Sequence, residues 1–139
     1  MKSTTLKGAA YLRTNATGDE RQGILDSQLA RIRKTAAKDG IELVHTYSDT
    51  CSGLNTAERF ERVLSAAKAG EFSVLYCDRF DRLSRALPDA IGFATVLDKH
   101  GVALRCVSDN LDTARPNGKL MLSLLESLSV FWENVQKTG

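Results

Sequence analysis

Short, mostly apolar runs recur at four places along the chain, each bounded by polar or glycine residues. They are Ala9–Arg13, Ile41–Tyr47, Val74–Cys77 and Val102–Val107. These runs lack the strict alternation of a strand that keeps one face in water. Continuous apolar character is typical of parallel strands that are covered on both faces. We therefore predict four buried β-strands.

Between these strands, apolar residues recur every three or four positions, which is the spacing of one helical face. A glycine follows each of these three segments, at Gly40, Gly70 and Gly101, where a left-handed residue can end a helix. The alternation predicts an α/β fold, with a doubly wound, mostly parallel sheet of four or slightly more strands and flanking helices. The three apolar sets are Leu25, Leu29, Ile32 and Ala36; Phe60, Val63, Leu64 and Ala67; and Leu87, Ile91, Ala94 and Leu97.

A fourth and longer helix is predicted at about 118–136, beginning after Asn117-Gly118. Its apolar positions form one broad stripe, which needs a covering surface. Two interpretations are open: the stripe packs on the sheet of its own domain, or its far end docks on a second subunit. The stripe comprises Leu120, Leu124, Leu128, Phe131 and Val135, and Met121 and Leu125 widen it.

Length and composition suit one domain over 1–139, since 139 residues with 42% hydrophobic content can fill a single core. No apolar run reaches the roughly 18 residues that cross a membrane, and the N-terminus lacks a signal-peptide pattern. We expect a cytoplasmic protein. Three scattered cysteines and two histidines have no metal-ligand spacing, so no metal site is predicted. A net charge of +2 does not by itself identify a nucleic-acid binder.

Charged residues collect where the predicted strands end, which is the usual ligand edge of an open parallel sheet. Arg13 ends the first strand and Ser108 follows the fourth. The third strand is followed by the densest group, which comprises Asp78, Arg79, Asp81, Arg82 and Arg85. Clustered arginines need carboxylates or a bound anion to offset their repulsion, and the guanidinium fork matches phosphate oxygens. A phosphate site and a structural ion-pair network are both open.

Several short motifs also follow one another in a fixed order along the chain. They are Tyr11-Leu12-Arg13-Thr14-Asn15, Ser27-Gln28-Leu29, Tyr47-Ser48-Asp49 with Ser52-Gly53, Phe60-Glu61-Arg62-Val63-Leu64, Asp81-Arg82-Leu83-Ser84-Arg85, and Asp112-Thr113 with Pro116-Asn117-Gly118-Lys119-Leu120. This series resembles the N-terminal catalytic domain of serine site-specific DNA recombinases of the resolvase/invertase type. The likeness spans roughly residues 9 to 134. No stretch resembles the DNA-binding region that follows this domain in the family.

The resemblance implies a specific chemistry. Members of the family cut and rejoin DNA without metal or other cofactor. A serine attacks the scissile phosphate and forms a 5′-phosphoserine link, which conserves the bond for rejoining. Arginines stabilise the charge on the phosphoryl group. The implied partners are DNA and further copies of the chain, as a dimer or tetramer associated through the helix at 118–136.

The family's roles can be carried over one residue at a time. Arg13, Arg82 and Arg85 would bind the DNA phosphate, and Gln28, which aligns with a glutamine near the family's active site, would also contact it. Asp81 would orient an arginine or help to move protons. Simpler interpretations remain open for two of these residues. Asp81 could form an ordinary ion pair, and Gln28 could be a solvated or capping glutamine.

The chain departs from the family pattern at the nucleophile, where Asn15 stands in the serine position. A carboxamide has no hydroxyl that could attack phosphorus. Thr14 and Thr17 carry the nearby hydroxyls, and neither occupies the required position. Ala57 and Glu133 also stand where the family usually has arginine. We therefore expect a domain that is inactive in cleavage as written.

Three functional hypotheses follow. The first is a recombinase catalytic domain without its nucleophile. The second is a non-catalytic resolvase-like module that binds DNA weakly or oligomerises with an active recombinase. The third is an unrelated phospho-ligand or receiver-type domain, which would need an acidic metal pocket after the first strand, where this chain has Arg13.

Overall fold

The structure is a computed structural model that describes residues 6–14, 16, 18–49, 56–80 and 87–138. Along these residues lie five strands and four helices, which alternate as far as the fourth strand and are followed by the fifth strand and the fourth helix. The strands are β1 (Leu6–Arg13), β2 (Ile41–Asp49), β3 (Val74–Cys77), β4 (Ala103–Cys106) and β5 (Leu111–Asp112). The helices are α1 (Asp19–Asp39), α2 (Thr56–Lys68), α3 (Leu87–Lys99) and α4 (Pro116–Thr138).

The predicted α/β class is confirmed, and the four predicted strands are all present. The sheet has one strand more than the four that the apolar runs indicate, which agrees with the predicted sheet of four or slightly more strands. The extra strand, β5, has only two residues and pairs antiparallel with β4. A strand this short has no periodicity to detect, which is why the sequence pattern does not reveal it.

The strand order is β2-β1-β3-β4-β5, and all pairs except the last are parallel. The chain runs from β1 to β2 on one side, and then returns to place β3 on the other side of β1. The switch in strand order therefore lies between β1 and β3. Open parallel sheets bind ligands beyond the carboxyl ends of the strands at this point, so Arg13 and Asp78 lie at the edge where a ligand is expected.

The two faces of the sheet are covered unequally. Successive residues of a strand point to opposite faces, so Ala10 and Leu12 of β1 pack against α1, with Ile32 between them and the solvent. On the other face, Tyr11 and Leu75 pack in a larger core that contains residues of α2, α3 and α4. Helix α1 is thus the one described helix whose buried residues belong to the first of these cores.

Helix α4 turns most of its predicted stripe away from its own domain, although Leu125 packs against the core. Leu120, Leu124 and Leu128 are 61%, 57% and 62% exposed, whereas Leu122 is 7% exposed and faces the core. The interpretation that the stripe packs on its own sheet is therefore wrong for these three leucines, and the side chains of Phe131 and Val135 lie outside the described set. Within the residues described, no helix combines the length and the apolar character that crossing a membrane requires.

The junction that leads into α4 is tightly packed. The Thr113 hydroxyl accepts a hydrogen bond from the Leu104 backbone amide at 2.8 Å, and the Thr113 amide donates to the Leu104 carbonyl at 3.0 Å. Gly118 lies directly against the Asp112 carbonyl, in a space that a Cβ atom would overlap. Two motif positions thus have a structural reason: they join β4 to the first turn of α4.

Candidate functional site at the switch between β1 and β3

The carboxyl end of β1 is held by a glutamine from α1. The Arg13 backbone amide donates to Gln28 Oε1 at 3.2 Å, and Gln28 Nε2 donates to the Arg13 carbonyl at 2.9 Å. Both residues are buried, with Gln28 at 1% and Arg13 at 6% exposure. Buried backbone groups need hydrogen-bond partners. The Gln28 carboxamide supplies partners for both the backbone amide and the backbone carbonyl of Arg13, and so fixes the position of Arg13 on the sheet.

Thr14 is also fixed in place. Its side chain is buried at 3% exposure, and its hydroxyl oxygen accepts a hydrogen bond from the Ala16 amide at 3.1 Å. A nucleophile for a DNA phosphate must be reachable from solvent and aligned with the phosphorus. The geometry gives no support to Thr14 as a replacement for the missing serine.

The carboxyl end of β3 carries a buried carboxylate that is bonded from two sides. Arg31 of α1 donates from Nε to Asp78 Oδ1 at 2.8 Å and from Nη2 to Oδ2 at 2.9 Å. The Ser108 hydroxyl donates to Asp78 Oδ1 at 2.7 Å. The Arg31 hydrogen bonds hold the pKa of Asp78 below its ordinary value against the opposing effect of burial, and Ser108 adds to the lowering. The carboxylate is therefore charged at neutral pH.

The backbone of Asp78 and of Phe80 is also tied to the next strand exit. The Ser108 backbone amide donates to the Asp78 carbonyl at 2.7 Å, and the Phe80 amide donates to Asp109 Oδ2 at 2.7 Å. The segment that leaves β3 is thus held at Asp78 by α1 and by the turn after β4, and at Phe80 by that turn. These contacts end one residue before Asp81, where the described part of the chain stops.

The predicted site residues divide into two groups. Arg13 and Gln28 lie together, as the motif positions suggest. Asn15, Asp81, Arg82 and Arg85 lie outside the described residues, and their convergence with Arg13 stays a prediction. Ser52, Gly53 and the side chains of Ala57 and Glu133 also lie outside.

Sequence reasoning missed Arg31, although it placed Asp78 and Ser108 at this edge. Arg31 follows Gln28 by three residues on α1, so both side chains leave the same side of the helix. That spacing was a signal, but the partner of Arg31 is 47 residues away in the chain. Among the residues that the structure describes, no three His, Cys, Asp or Glu side chains are grouped to hold a metal ion.

The sheet order, the helices on both faces and the polar cluster at the β1/β3 switch define an α/β domain of the doubly wound type, with Arg13 and Asp78 at the carboxyl edge of its sheet. The chain belongs to the resolvase family, because the family's sequence model described as "Resolvase, N terminal domain" matches residues 8–137. The family that the motifs indicate is thereby confirmed.

Curated relatives are similar at moderate identity. The R46 site-specific recombinase of Escherichia coli is 28% identical over 108 residues, which are 78% of this chain and 54% of that protein. The transposon Tn3 resolvase of Escherichia coli is 29% identical over 99 residues, which are 70% of this chain and 53% of that protein. The chain thus spans about half the length of the curated relatives it matches.

Solved structures share the fold over nearly the whole chain. A resolvase family site-specific recombinase from Streptococcus pneumoniae superposes with a TM-score of 0.80 at 25% identity, covering 96% of this chain and 93% of the other. The N-terminal catalytic domain of TP901-1 integrase gives a TM-score of 0.78 at 24% identity, covering 93% of this chain and 98% of the other. The likeness to the integrase domain shows the fold.

Proposed function

We propose that this chain is the DNA-cleaving domain of a site-specific recombinase in which the nucleophile is missing. In the active form of such a site, a serine at position 15 would attack a DNA phosphate and hold the broken strand as a phosphoserine. The observation that carries this proposal is the buried Arg13, held by Gln28 at the switch point of a resolvase-family sheet. As written, the domain binds the DNA phosphate but does not cut.

In this proposal Arg13, Arg82 and Arg85 contact phosphate oxygens, and Asp81 orients one of the arginines. No metal or organic cofactor takes part. For Gln28, the two bonds to the Arg13 backbone favour a positioning role over a direct phosphate contact. DNA binding by these few arginines is weak, independent of sequence, and steeply dependent on salt.

We expect Asn15→Ser to restore covalent capture of DNA. The substrate is a pool of labelled duplexes with randomised centres, each nicked so that cleavage releases a short fragment and cannot be reversed. The unsubstituted chain should give no adduct above background, whereas Asn15→Ser should give an SDS-resistant 5′-phosphoserine adduct, because the substitution supplies the hydroxyl that phosphoryl transfer needs.

Asn15→Ala is the matched control, since it removes the carboxamide without adding a hydroxyl and should stay without adduct. A folded Asn15→Ser protein that binds the duplex pool and never forms an adduct would contradict the proposed cleavage site.

A second candidate function is favoured by the exposed apolar face of α4. Leu120, Leu124 and Leu128 lie on one side of the helix. All three are exposed, and none of them is part of the core of the described residues. This face suits association with another copy of the chain, or with an active recombinase that presents the same helix. A domain that pairs in this way could modulate recombination without cutting DNA.

Leu124→Lys is expected to weaken self-association by about tenfold or more, because it places a charge where the proposed interface buries the Leu124 side chain. Sedimentation velocity across a concentration series measures the change. Ser123→Lys adds the same charge at the preceding exposed position and serves as the control. A monomer at every concentration, or equal effects of the two lysines, would count against an α4 interface.

A further inference from the structure

The Arg31–Asp78 ion pair connects α1 to the strand exit that leads to Asp81. Arg31 donates two parallel hydrogen bonds, at 2.8 and 2.9 Å, to a carboxylate whose residue is only 4% exposed. A bidentate pair fixes both the distance and the orientation of its two members. The direction in which the chain leaves β3 is thereby tied to the axis of α1.

The same helix holds the other strand exit at the switch point. Gln28 lies one turn before Arg31 and binds both backbone groups of Arg13. The ladder between β1 and β3 ends at the pair Tyr11 and Cys77. Arg13 and Asp78 lie beyond that last pair, so the β1–β3 ladder does not set their relative position. Helix α1 supplies this link through Gln28 and Arg31.

A third element completes the arrangement from the opposite side of β3. Ser108 binds Asp78 through its hydroxyl and its backbone amide, and Asp109 accepts the Phe80 amide. Asp78 is thus bound by both α1 and the turn after β4, and Phe80 is bound by that turn. The Arg31 side chain is 48% exposed and that of Asp78 only 6%. Replacing both members of such a pair by neutral groups generally costs little stability, although removing one member alone is destabilising. This placement is better explained by positioning than by stabilisation.

We propose that Arg31 is a positioning residue, which acts with Asp78 and Ser108 to set the position of the exit of β3, residues 78–80, relative to Arg13. The proposal rests on the proposed function, in which Arg82 and Arg85 contact the DNA phosphate. Displacing a group at a phosphoryl-transfer site by about 1 Å can lower its effect roughly a hundredfold. Loss of Arg31 should therefore reduce the contribution of Arg82, which follows Phe80 by two residues in the sequence.

A double-mutant cycle on DNA binding tests this coupling in the full chain as it exists, with Asn15 in place. The probe is a labelled duplex of random sequence, and the readout is the slope of log binding constant against log salt, which reports the number of phosphate contacts. Arg82→Ala is expected to lower this slope by about 1. In the Arg31→Ala background, the same Arg82→Ala substitution should change the slope little.

Arg31→Ala also removes one positive charge, so Arg33→Ala is measured as the matched control. Arg33 lies on the exposed side of the same helix, two residues further on. In the Arg33→Ala background, Arg82→Ala should keep its full effect. Arg31→Lys keeps the charge and loses the planar fork, so it should restore only part of the coupling.

Arg31→Ala leaves a buried carboxylate without its cation and could unfold the domain. The pair Arg31→Ala with Asp78→Asn removes both charges and keeps an acceptor for Ser108, and the cycle is repeated on it. The slope of log binding constant against log salt reports phosphate contacts in the bound complex and not the folded fraction. If Arg31 only stabilised the fold, Arg82→Ala would therefore lower this slope equally with and without Arg31.

The possible outcomes separate the two proposals. If Arg82→Ala lowers the slope equally with and without Arg31, the positioning role is overturned and the proposed DNA contact stands. If Arg82→Ala has no effect on the unsubstituted chain, the proposed function fails, and the positioning role fails with it. If the effect of Arg82→Ala is lost only when Arg31 is absent, both are supported.

Discussion

Replacement of Gly118 by alanine is expected to destabilise the domain by about 3 kcal/mol, the upper part of the usual range for an overpacked site. A Cβ atom at this position would overlap the Asp112 carbonyl oxygen and come within 2.9 Å of the Thr113 amide nitrogen. Both contacts are backbone, so no flexible side chain can move aside. Either α4 shifts away from β5 or the hydrogen bonds of Thr113 are distorted.

Urea denaturation followed by circular dichroism measures this loss, with Gly92→Ala as the matched control. Gly92 lies within α3 and has no atom within 4 Å of its Cβ direction. Alanine there should stabilise the domain by about 0.5 to 1 kcal/mol through helix propensity. Equal midpoints for the two variants would show that Gly118 is not constrained by the β5 backbone.

Gln28→Leu is expected to destabilise the domain by about 3 kcal/mol, although leucine fills nearly the same volume. The substitution leaves the amide and the carbonyl of Arg13 buried without the partners they have now, and each such loss costs about 1 to 3 kcal/mol. Gln22→Leu, on the exposed side of the same helix, should change the free energy of unfolding by less than about 0.5 kcal/mol.

Gln28→Glu adds a pH test of the same geometry. Only the protonated carboxyl can donate to the Arg13 carbonyl, and burial disfavours the charged form, so the pKa of this glutamate would be raised in the folded state. Its stabilising contribution should be present below the unfolded pKa of about 4.3 and lost as pH rises through the folded pKa. If the loss of unfolding free energy in Gln28→Glu, relative to the unsubstituted chain, does not change with pH, the two hydrogen bonds to Arg13 are not the cause of that loss.

The periodicity of apolar residues was sufficient to predict the main strands and helices of the fold. Four strands and the first three helices were predictable because each buries a regular set of side chains, and α4 was predictable from the helical spacing of its apolar residues. The direction of the α4 stripe was not predictable. Leu120 and Leu124 have the spacing of a buried face, and spacing alone cannot tell a core from an interface.

The candidate site was predictable in place and only partly in detail. Arg13 and Asp78 were expected at the ligand edge, because parallel strands end together there. The role of Gln28 was not predictable, because its partners are the backbone groups of a residue 15 positions away and no residue type encodes that contact. Arg31 was missed for the same reason, since its partner Asp78 belongs to a different strand.

The anchored start of α4 has a consequence for molecular recognition. Because Gly118 sits against Asp112 and Thr113 is locked to Leu104, the helix leaves the domain in a fixed direction with its leucines already displayed. A partner that covers Leu120, Leu124 and Leu128 binds a helix that is already formed, so binding does not have to order the main chain of α4. Preorganisation of this kind lowers the entropic penalty of docking, so a modest apolar contact along α4 can suffice to hold two domains together.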